Sequence, residues 1–411
     1  MNADLIEGVI TRVGAQGDGL ATIDGAPVFA PYTLPGERVA GQVDKDRFKV
    51  ERLLEASADR VAPDCPHFGI CGGCLLQHWA APAYLAWKRA LVVAALERED
   101  VETEVAAIVD AHGAGRRRAI FHGRQYGSRT VVGFAERKSH AMVAIDQCPV
   151  LCSDLREALP AARAVAQALA PLRKPLDLHV TATGAGMDMD VRGSGPVPAG
   201  LLMDLAALAD RFSLARLTRH GELLTQREAP FVMMGRARVS LPPAAFLQAT
   251  ALGEETLARL ALEVVGPAKR VADLFCGVGT FALRLAERAR VAAYESNAPA
   301  VAALLKGAQS APGLKGVEGE ARDLFRRPLM AEELKRFDAV VIDPPRQGAE
   351  AQALELARSS VPRIAYVSCS AQTFARDARL LMEGGYRLLR VTPVDQFRFS
   401  PHVELVGHFE R

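Results

Sequence analysis

Val271-Ala272-Asp273-Leu274-Phe275-Cys276-Gly277-Val278-Gly279-Thr280-Phe281 decides the fold. Its apolar start running into Gly-x-Gly predicts a strand that turns sharply into a helix from Phe281. Glycine at the turn lets a ligand approach the backbone, because no Cβ stands in the way. The spacing is not the Gly-x-Gly-x-x-Gly of dinucleotide enzymes, so a pyrophosphate is not implied. The next strand, Val291-Ala-Ala-Tyr-Glu295, ends in a carboxylate 18 residues beyond Gly277, where it can accept hydrogen bonds from both hydroxyls of a ribose. Asp323 follows a third segment, where a contact to an adenine amine and a helix-capping role fit equally well. The strand Asp338 to Ile342 then runs into Asp343-Pro-Pro-Arg346. From about Val264 apolar strands alternate with helices, which predicts an α/β unit built on a parallel sheet.

One more strand of that unit, Ile364-Ala-Tyr-Val-Ser-Cys369, ends in a thiol. Ligands of open α/β sheets gather beyond the carboxyl ends of the strands, so Cys369 is expected to face the reaction crevice as a nucleophile. Most free cysteines are inert packing, and this one is singled out by its position.

Outward from this unit the chain changes character. Residues 1–54 read as five short strands (7–13, 19–23, 27–30, 38–43 and 48–53) broken by glycine turns, which suggests a small barrel. Residues 55–240 form a central α+β region, and residues 241–411 the unit with the glycine loop. In the central region a helix is expected from Ala80 to about Glu99, with Tyr84, Trp87, Leu91 and Ala95 near one face. The 411 residues are 49% hydrophobic and 24% charged, as in ordinary globular chains of two or three domains. The first residues show no basic and apolar leader, and no uncharged stretch is long enough for a bilayer, so a cytoplasmic protein without a membrane partner is expected. No obligate protein partner is evident. A net charge of +2 makes any nucleic-acid footprint a local one. Between Ala111 and His140, seven basic residues (Arg116, Arg117, Arg118, Arg124, Arg129, Arg137 and Lys138) face one acid, Glu136, which points to Arg116–Arg118 as an RNA-binding patch.

The seven cysteines, an odd number, argue against a disulfide framework and include a Cys65-x5-Cys71-x2-Cys74 cluster among Pro66, Gly69, Gly72 and Gly73. Such a loop can wrap its sulfurs around one centre, and Cys148 in Asp146-Gln-Cys-Pro is the best fourth ligand. Four thiolates suit either a [4Fe-4S] cluster or tetrahedral zinc, and under the zinc reading His67 or His78 can substitute.

Together these segments resemble a known family, the class I S-adenosylmethionine-dependent RNA 5-methyluridine methyltransferases. The resemblance covers nearly the whole chain and rests on Asp273-Leu-Phe-Cys-Gly-Val-Gly-Thr280, Asp343-Pro-Pro-Arg-Gln-Gly348, Tyr366-Val-Ser-Cys-Ser370 and Asp395-Gln-Phe-Arg-Phe-Ser-Pro-His-Val-Glu404. It implies a Rossmann-like class I methyltransferase catalytic domain, a central α+β Fe-S domain, and an N-terminal OB-like barrel of the TRAM type, including Phe29-Ala-Pro31 and Leu34-Pro-Gly-Glu37. It further implies S-adenosylmethionine as cofactor, with Gln248, Phe275, Thr280, Glu295 and Asp343 contacting it. The cysteine cluster resembles the [4Fe-4S] site of the branch that modifies large-subunit ribosomal RNA, which favours 23S rRNA as substrate over the T-loop of tRNA.

The implied chemistry is addition of Cys369 to carbon 6 of uracil, methylation at carbon 5, and removal of the carbon 5 proton by Glu404. Glu404 lies in an apolar strand-like run, where burial would raise its pKa. Arg346 stands where amine methylases place a stacking aromatic, and the Asp-Pro turn lacks the extra cysteine of cytosine-5 methylases, so uracil is the expected base. Two positions depart from the family pattern: Thr250 and Ser370-Ala371 stand where Asn and Asn-Pro are usual.

Overall fold

The computed structural model describes residues 5–139 and 141–411; Met1 to Asp4, where the expectation about a leader falls, and His140 at the end of the basic stretch, lie outside them. The first unit comprises β1 (Ile6–Val9), β2 (Arg12–Val13), β3 (Gly19–Ile23), β4 (Ala26–Ala30), β5 (Arg38–Asp44) and β6 (Arg47–Glu55), in the sheet order β1-β5-β6-β4-β3-β2. The expected strand 7–13 splits because Ile10 turns inward: its N–H donates to the Glu37 carbonyl and its own carbonyl accepts from Gly36. Ile10, Ala21, Val28, Ala30, Val39 and Phe48 then form the small core of this curled sheet.

After α1 (Ala81–Glu97) come the two-residue strands β7 (Glu104–Val105) and β8 (Val109–Asp110). The second sheet contains β9 (Arg118–Tyr126), β10 (Arg129–Ala135), β11 (Met142–Ala144), β12 (Leu176–Thr183), β13 (Gly186–Arg192), β14 (Arg216–Arg219) and β15 (Glu222–Gln226), ordered β11-β10-β9-β12-β13-β14-β15. Strict alternation along β12 (Leu176, Leu178 and Val180 inward) meets the apolar face of α2 (Ala158–Ala168) and Leu205 and Ala209 of α3 (Ala199–Arg211). A hairpin follows, β16 (Phe231–Met234) and β17 (Ala237–Ser240).

The remainder alternates helix and strand: α4 (Ala251–Val265), β18 (Arg270–Leu274), α5 (Ala282–Leu285), β19 (Arg290–Glu295), α6 (Ala298–Ser310), β20 (Val317–Ala321), α7 (Ala331–Leu334), β21 (Ala339–Ile342), α8 (Glu350–Arg358), β22 (Arg363–Ser368), α9 (Ala371–Glu383), β23 (Arg387–Asp395) and β24 (Glu404–Glu410). Its sheet runs β20-β19-β18-β21-β22-β24-β23-β7, with β8 also on β23. The first five strands are parallel, and β24 is antiparallel to both β22 and β23. Strand order reverses at β18, so a crevice opens beyond the carboxyl ends of β18 and β21. The apolar β21, Ala339 to Ile342, is wholly buried, as a central parallel strand must be. The helix expected from Phe281 closes after a single turn as α5.

Two segments that sequence placed in the central region pack on this last unit. Arg390 and Val391 of β23 pair with β7, Val394 and Asp395 with β8, and α1 packs against α9. The β16–β17 hairpin lies on α6. The buried face of α1 is Tyr84, Lys88, Val92, Ala95 and Leu96, whereas Trp87 and Leu91 are partly exposed. The expected stripe is therefore rotated, and it includes a lysine. Among the described residues no helix is long and apolar enough to cross a membrane.

Candidate active site

The loop after β18 has the backbone its glycines foretell. Gly277 (φ +54°) has open space where a Cβ would stand, and at Gly279 (φ +102°) a Cβ would press within about 3 Å of Leu283 and Leu304. Glu295, at the end of β19, accepts from the Gly277 N–H at 3.3 Å through one oxygen and from the Asn297 N–H at 2.8 Å through the other. Gly277, Val278, Glu295, Asn297, Pro299 and Phe246 line a cavity of about 370 Å³. Phe275 (φ +63°) turns its ring onto Phe325, centroids 5.3 Å apart. Thr280 is partly exposed one residue beyond the second glycine. Asp323 accepts from the backbone N–H groups of Phe325 and Arg326 in the turn after β20, and among the described residues no helix starts there.

The second half of the site follows from strand register. Ser368, the last residue of β22, pairs with Leu405 of β24, which puts Cys369 beside Glu404. Asp343, just past β21, joins them: both carboxylates push the Cys369 thiol up, and with burial as the largest cause it reaches about 12. Glu404 is 4% exposed and is raised to about 8, by burial first and then by Asp343, against the opposing pull of Gln396, Arg346 and Lys88. Burial likewise raises Asp343 to about 7, opposed by a hydrogen bond from Gln248 Nε2 at 3.1 Å. Arg346 donates to His402 Nδ1 at 2.7 Å, and burial beside that cation holds His402 down to about 4, so its ring stays neutral. At neutral pH the site thus presents a thiol and carboxyl groups that retain much of their proton, poised for acid–base work.

Cys65, Cys71, Cys74 and Cys148 line one mostly apolar cavity of about 380 Å³, together with His67 and Arg116. The Gly72 N–H donates to Ala135 at 3.0 Å, tying the cluster loop to β10 and so to the segment bearing Cys148. Burial and the other thiols of the set push Cys148 up to about 12. Among the described residues, no three His, Cys, Asp or Glu side chains stand close enough together to hold a metal ion. His78 does not join the thiols. It is buried against Phe68 and Tyr32, ring centroids 5.2 and 6.5 Å away, and burial lowers it to about 4. His67 instead places Nε2 2.6 Å from Asp146.

The expected Arg116–Arg118 patch is corrected by the structure. Arg117 is paired with the buried Glu254 and donates to the Gln248 carbonyl, while Arg118 donates to the Leu247 carbonyl and lies over Phe246. Both brace the segment before α4, and neither is a free phosphate ligand. Arg116 packs over Phe397, facing the cysteine cavity.

A model of the tRNA (uracil-5-)-methyltransferase family matches residues 236–410, the span that holds every group just described beyond β16. A Caulobacter vibrioides protein described as an uncharacterized RNA methyltransferase is 48% identical over 410 residues, covering 98% of this chain and 99% of its own. The chain belongs to the RNA uracil-5-methyltransferase family. The 23S rRNA (uracil(1939)-C(5))-methyltransferase RlmD of Klebsiella pneumoniae is 32% identical over 412 residues, with 96% and 93% of the two chains covered. The fold matches that of the Pyrococcus abyssi tRNA (uracil-54, C5)-methyltransferase, with a TM-score of 0.75 at 23% identity, covering 98% of this chain and 100% of the other.

In this RNA uracil-5-methyltransferase the two departures from the family pattern have structural roles. Thr250 caps α4 by accepting from the Gly253 N–H at 2.9 Å, and its hydroxyl donates to the Ala111 carbonyl at 2.6 Å. Ser370 caps α9. Sequence reading missed two members of the site. Gln396 is fully buried between Gln248 and Glu404, and Lys88 of α1 is bound at 2.5 Å to Asp395. The available signal was the closing segment, where Asp395 and Gln396 stand next to one another just before the expected base.

Proposed function

We propose that the enzyme forms 5-methyluridine in RNA, with Cys369 as transient nucleophile and Glu404 as general base, and that its substrate is 23S rRNA. The observation that carries this reading is the meeting of Cys369, Glu404 and Asp343 at the same carboxyl edge of the sheet as Gly277 and Glu295. Carbon 5 of uracil is too weak a nucleophile to be alkylated unaided. Cys369 gives up its proton to water, and addition of its thiolate sulfur to carbon 6 moves the double-bond electrons toward carbon 5 and the carbonyl oxygen, and makes carbon 5 an enolate carbon. S-adenosylmethionine, held by Glu295 at the ribose and by Gln248, Phe275, Thr280 and Asp343 elsewhere, supplies the methyl group as an electrophilic sulfonium. The ionised form of Glu404 then takes the carbon 5 proton, the double bond re-forms, and the Cys369 thiolate leaves. Glu295 has lone pairs beyond those used by Gly277 and Asn297, so ribose hydroxyls can still donate to it.

A base stacked in a helix cannot offer carbon 6 to a thiol, so the target uridine is unstacked or lies in a loop. The N-terminal six-stranded sheet is the RNA-binding module of this reading. Cys65, Cys71, Cys74 and Cys148 are the proposed holders of a [4Fe-4S] cluster, supported by an all-sulfur donor set lining one cavity. The preference for ribosomal RNA rests on similarity to RlmD along the whole chain. Nucleoside mass spectrometry of 23S rRNA and tRNA from cells lacking the gene tests it. Loss of 5-methyluridine from 23S rRNA supports the proposal, loss from the tRNA T-loop assigns the alternative substrate, and no loss in either overturns it.

A further inference from the structure

Gln396 lies one residue beyond β23, fully buried between the two halves of the site. Its Nε2 donates to Gln248 Oε1 at 2.7 Å, and Gln248 Nε2 donates to Asp343 Oδ2 at 3.1 Å. Its own Oε1 accepts from the Thr250 N–H at 3.4 Å, and the side chain also rests against Glu404. A side-chain amide has one donating and one accepting end, so the partner at one end decides what the other offers. The Thr250 N–H, fixed at the start of α4, can only donate. It therefore claims the oxygen of Gln396, which leaves nitrogen for Gln248, which in turn leaves nitrogen for Asp343.

We propose that Gln396 is a positioning residue: it orients the Gln248 amide toward Asp343 and holds Glu404 for proton removal, so that one side chain sets both halves of the site. The inference rests on Glu404 acting as the base. Were Gln248 reversed, its oxygen would face Asp343 and oppose ionisation there. Glu404 is faced by Asp343 and Arg346 from the turn after β21, by Cys369 from the end of β22, and by Lys88 from α1. Gln396 is neutral, like the Cys369 thiol, and its hydrogen bond favours the ionised carboxylate.

Gln396→Met keeps the length of the side chain and removes the amide. In the full-length enzyme acting on RNA, kcat/KM is measured against pH, and the KM for S-adenosylmethionine is measured alone and in a Gln248→Met background. The acid limb is expected to move to higher pH by half a unit or more, because the ionised base has lost a donor. The cofactor KM should rise several-fold in the wild-type background and little in the Gln248→Met background. An unmoved acid limb with equal KM changes in both backgrounds overturns the inference. Should Gln396→Met fail to fold, Gln396→Glu retains the shape; ionised, it cannot donate to Gln248 and adds a like charge beside Glu404, so a larger alkaline shift is required of it. Cys369→Ala is run alongside. If that variant turns over at the wild-type rate, the reaction scheme fails as a whole, whereas a dead Cys369→Ala with an unmoved Gln396→Met profile sinks only the positioning role.

Discussion

Replacing Glu404 with glutamine should make the protein more resistant to alkaline pH. The Glu404 carboxyl sits at about 8 in the folded chain, against an ordinary 4.5. Below 4.5 both folded and unfolded chains are protonated there, and the group gives no pH dependence. Between 4.5 and 8 the unfolded chain has released the proton and the folded chain keeps it, so stability falls by about 1.4 kcal/mol per pH unit. Above 8 the loss is complete and constant. The full interval sets a ceiling of about 5 kcal/mol, and because Asp343 shares the repulsion, roughly 2–3 kcal/mol is the expected effect of Glu404 itself. Glutamine cannot ionise, so the variant escapes this loss. Thermal unfolding at a series of pH values should show the Tm of Glu404→Gln gaining on wild type between pH 5 and 8.5, by about 2–4 °C in total. Any fixed difference from the new amide is independent of pH and does not enter. A Tm difference that stays flat over this range would refute the reasoning, because it would mean that Glu404 is already ionised in the folded chain.

Lys88→Met should destabilise the fold by about 3–5 kcal/mol in denaturant titrations, since it strands Asp395 in the interior with Tyr84 as its remaining side-chain donor; a loss under 1 kcal/mol would show that the pair is dispensable. Arg117→Met should cost about 1–3 kcal/mol, because Glu254 keeps Arg284 at 2.8 Å, and should leave RNA affinity within about twofold; a large loss of affinity at unchanged stability would return Arg117 to the RNA surface. Cys74→Ser protein purified without oxygen should lose the iron content and visible absorption expected of the wild type. Wild-type protein containing one zinc and no iron would contradict the cluster assignment.

What the sequence disclosed was chemistry at strand ends. Gly277, Glu295, Asp343 and Cys369 each follow an apolar strand, and in a parallel sheet those ends share one edge, so their convergence could be read before the structure was known. Glu404 was legible because a carboxylate within an apolar run must be buried. Arg117 and Arg118 were misread because a count of charges does not show their partners: Glu254 and the Leu247 carbonyl are distant in sequence and meet them only in the fold. Lys88 escaped notice for the converse reason. A lysine on a helix is ordinarily solvated, and its partner Asp395 is 307 residues away. The strands β7 and β8 were hidden by their length, two residues each, too short for any alternation to register.

The central claim is a bond between the Cys369 sulfur and carbon 6 of the target uracil. RNA in which that uridine is replaced by 5-fluorouridine has no carbon 5 proton for Glu404 to remove, so reaction with S-adenosylmethionine should stall with the RNA attached to the protein. Mass spectrometry of the digested complex should find the modified nucleotide on the peptide containing Cys369. Attachment at a different residue, or none at all from an enzyme that methylates ordinary RNA normally, would contradict the account.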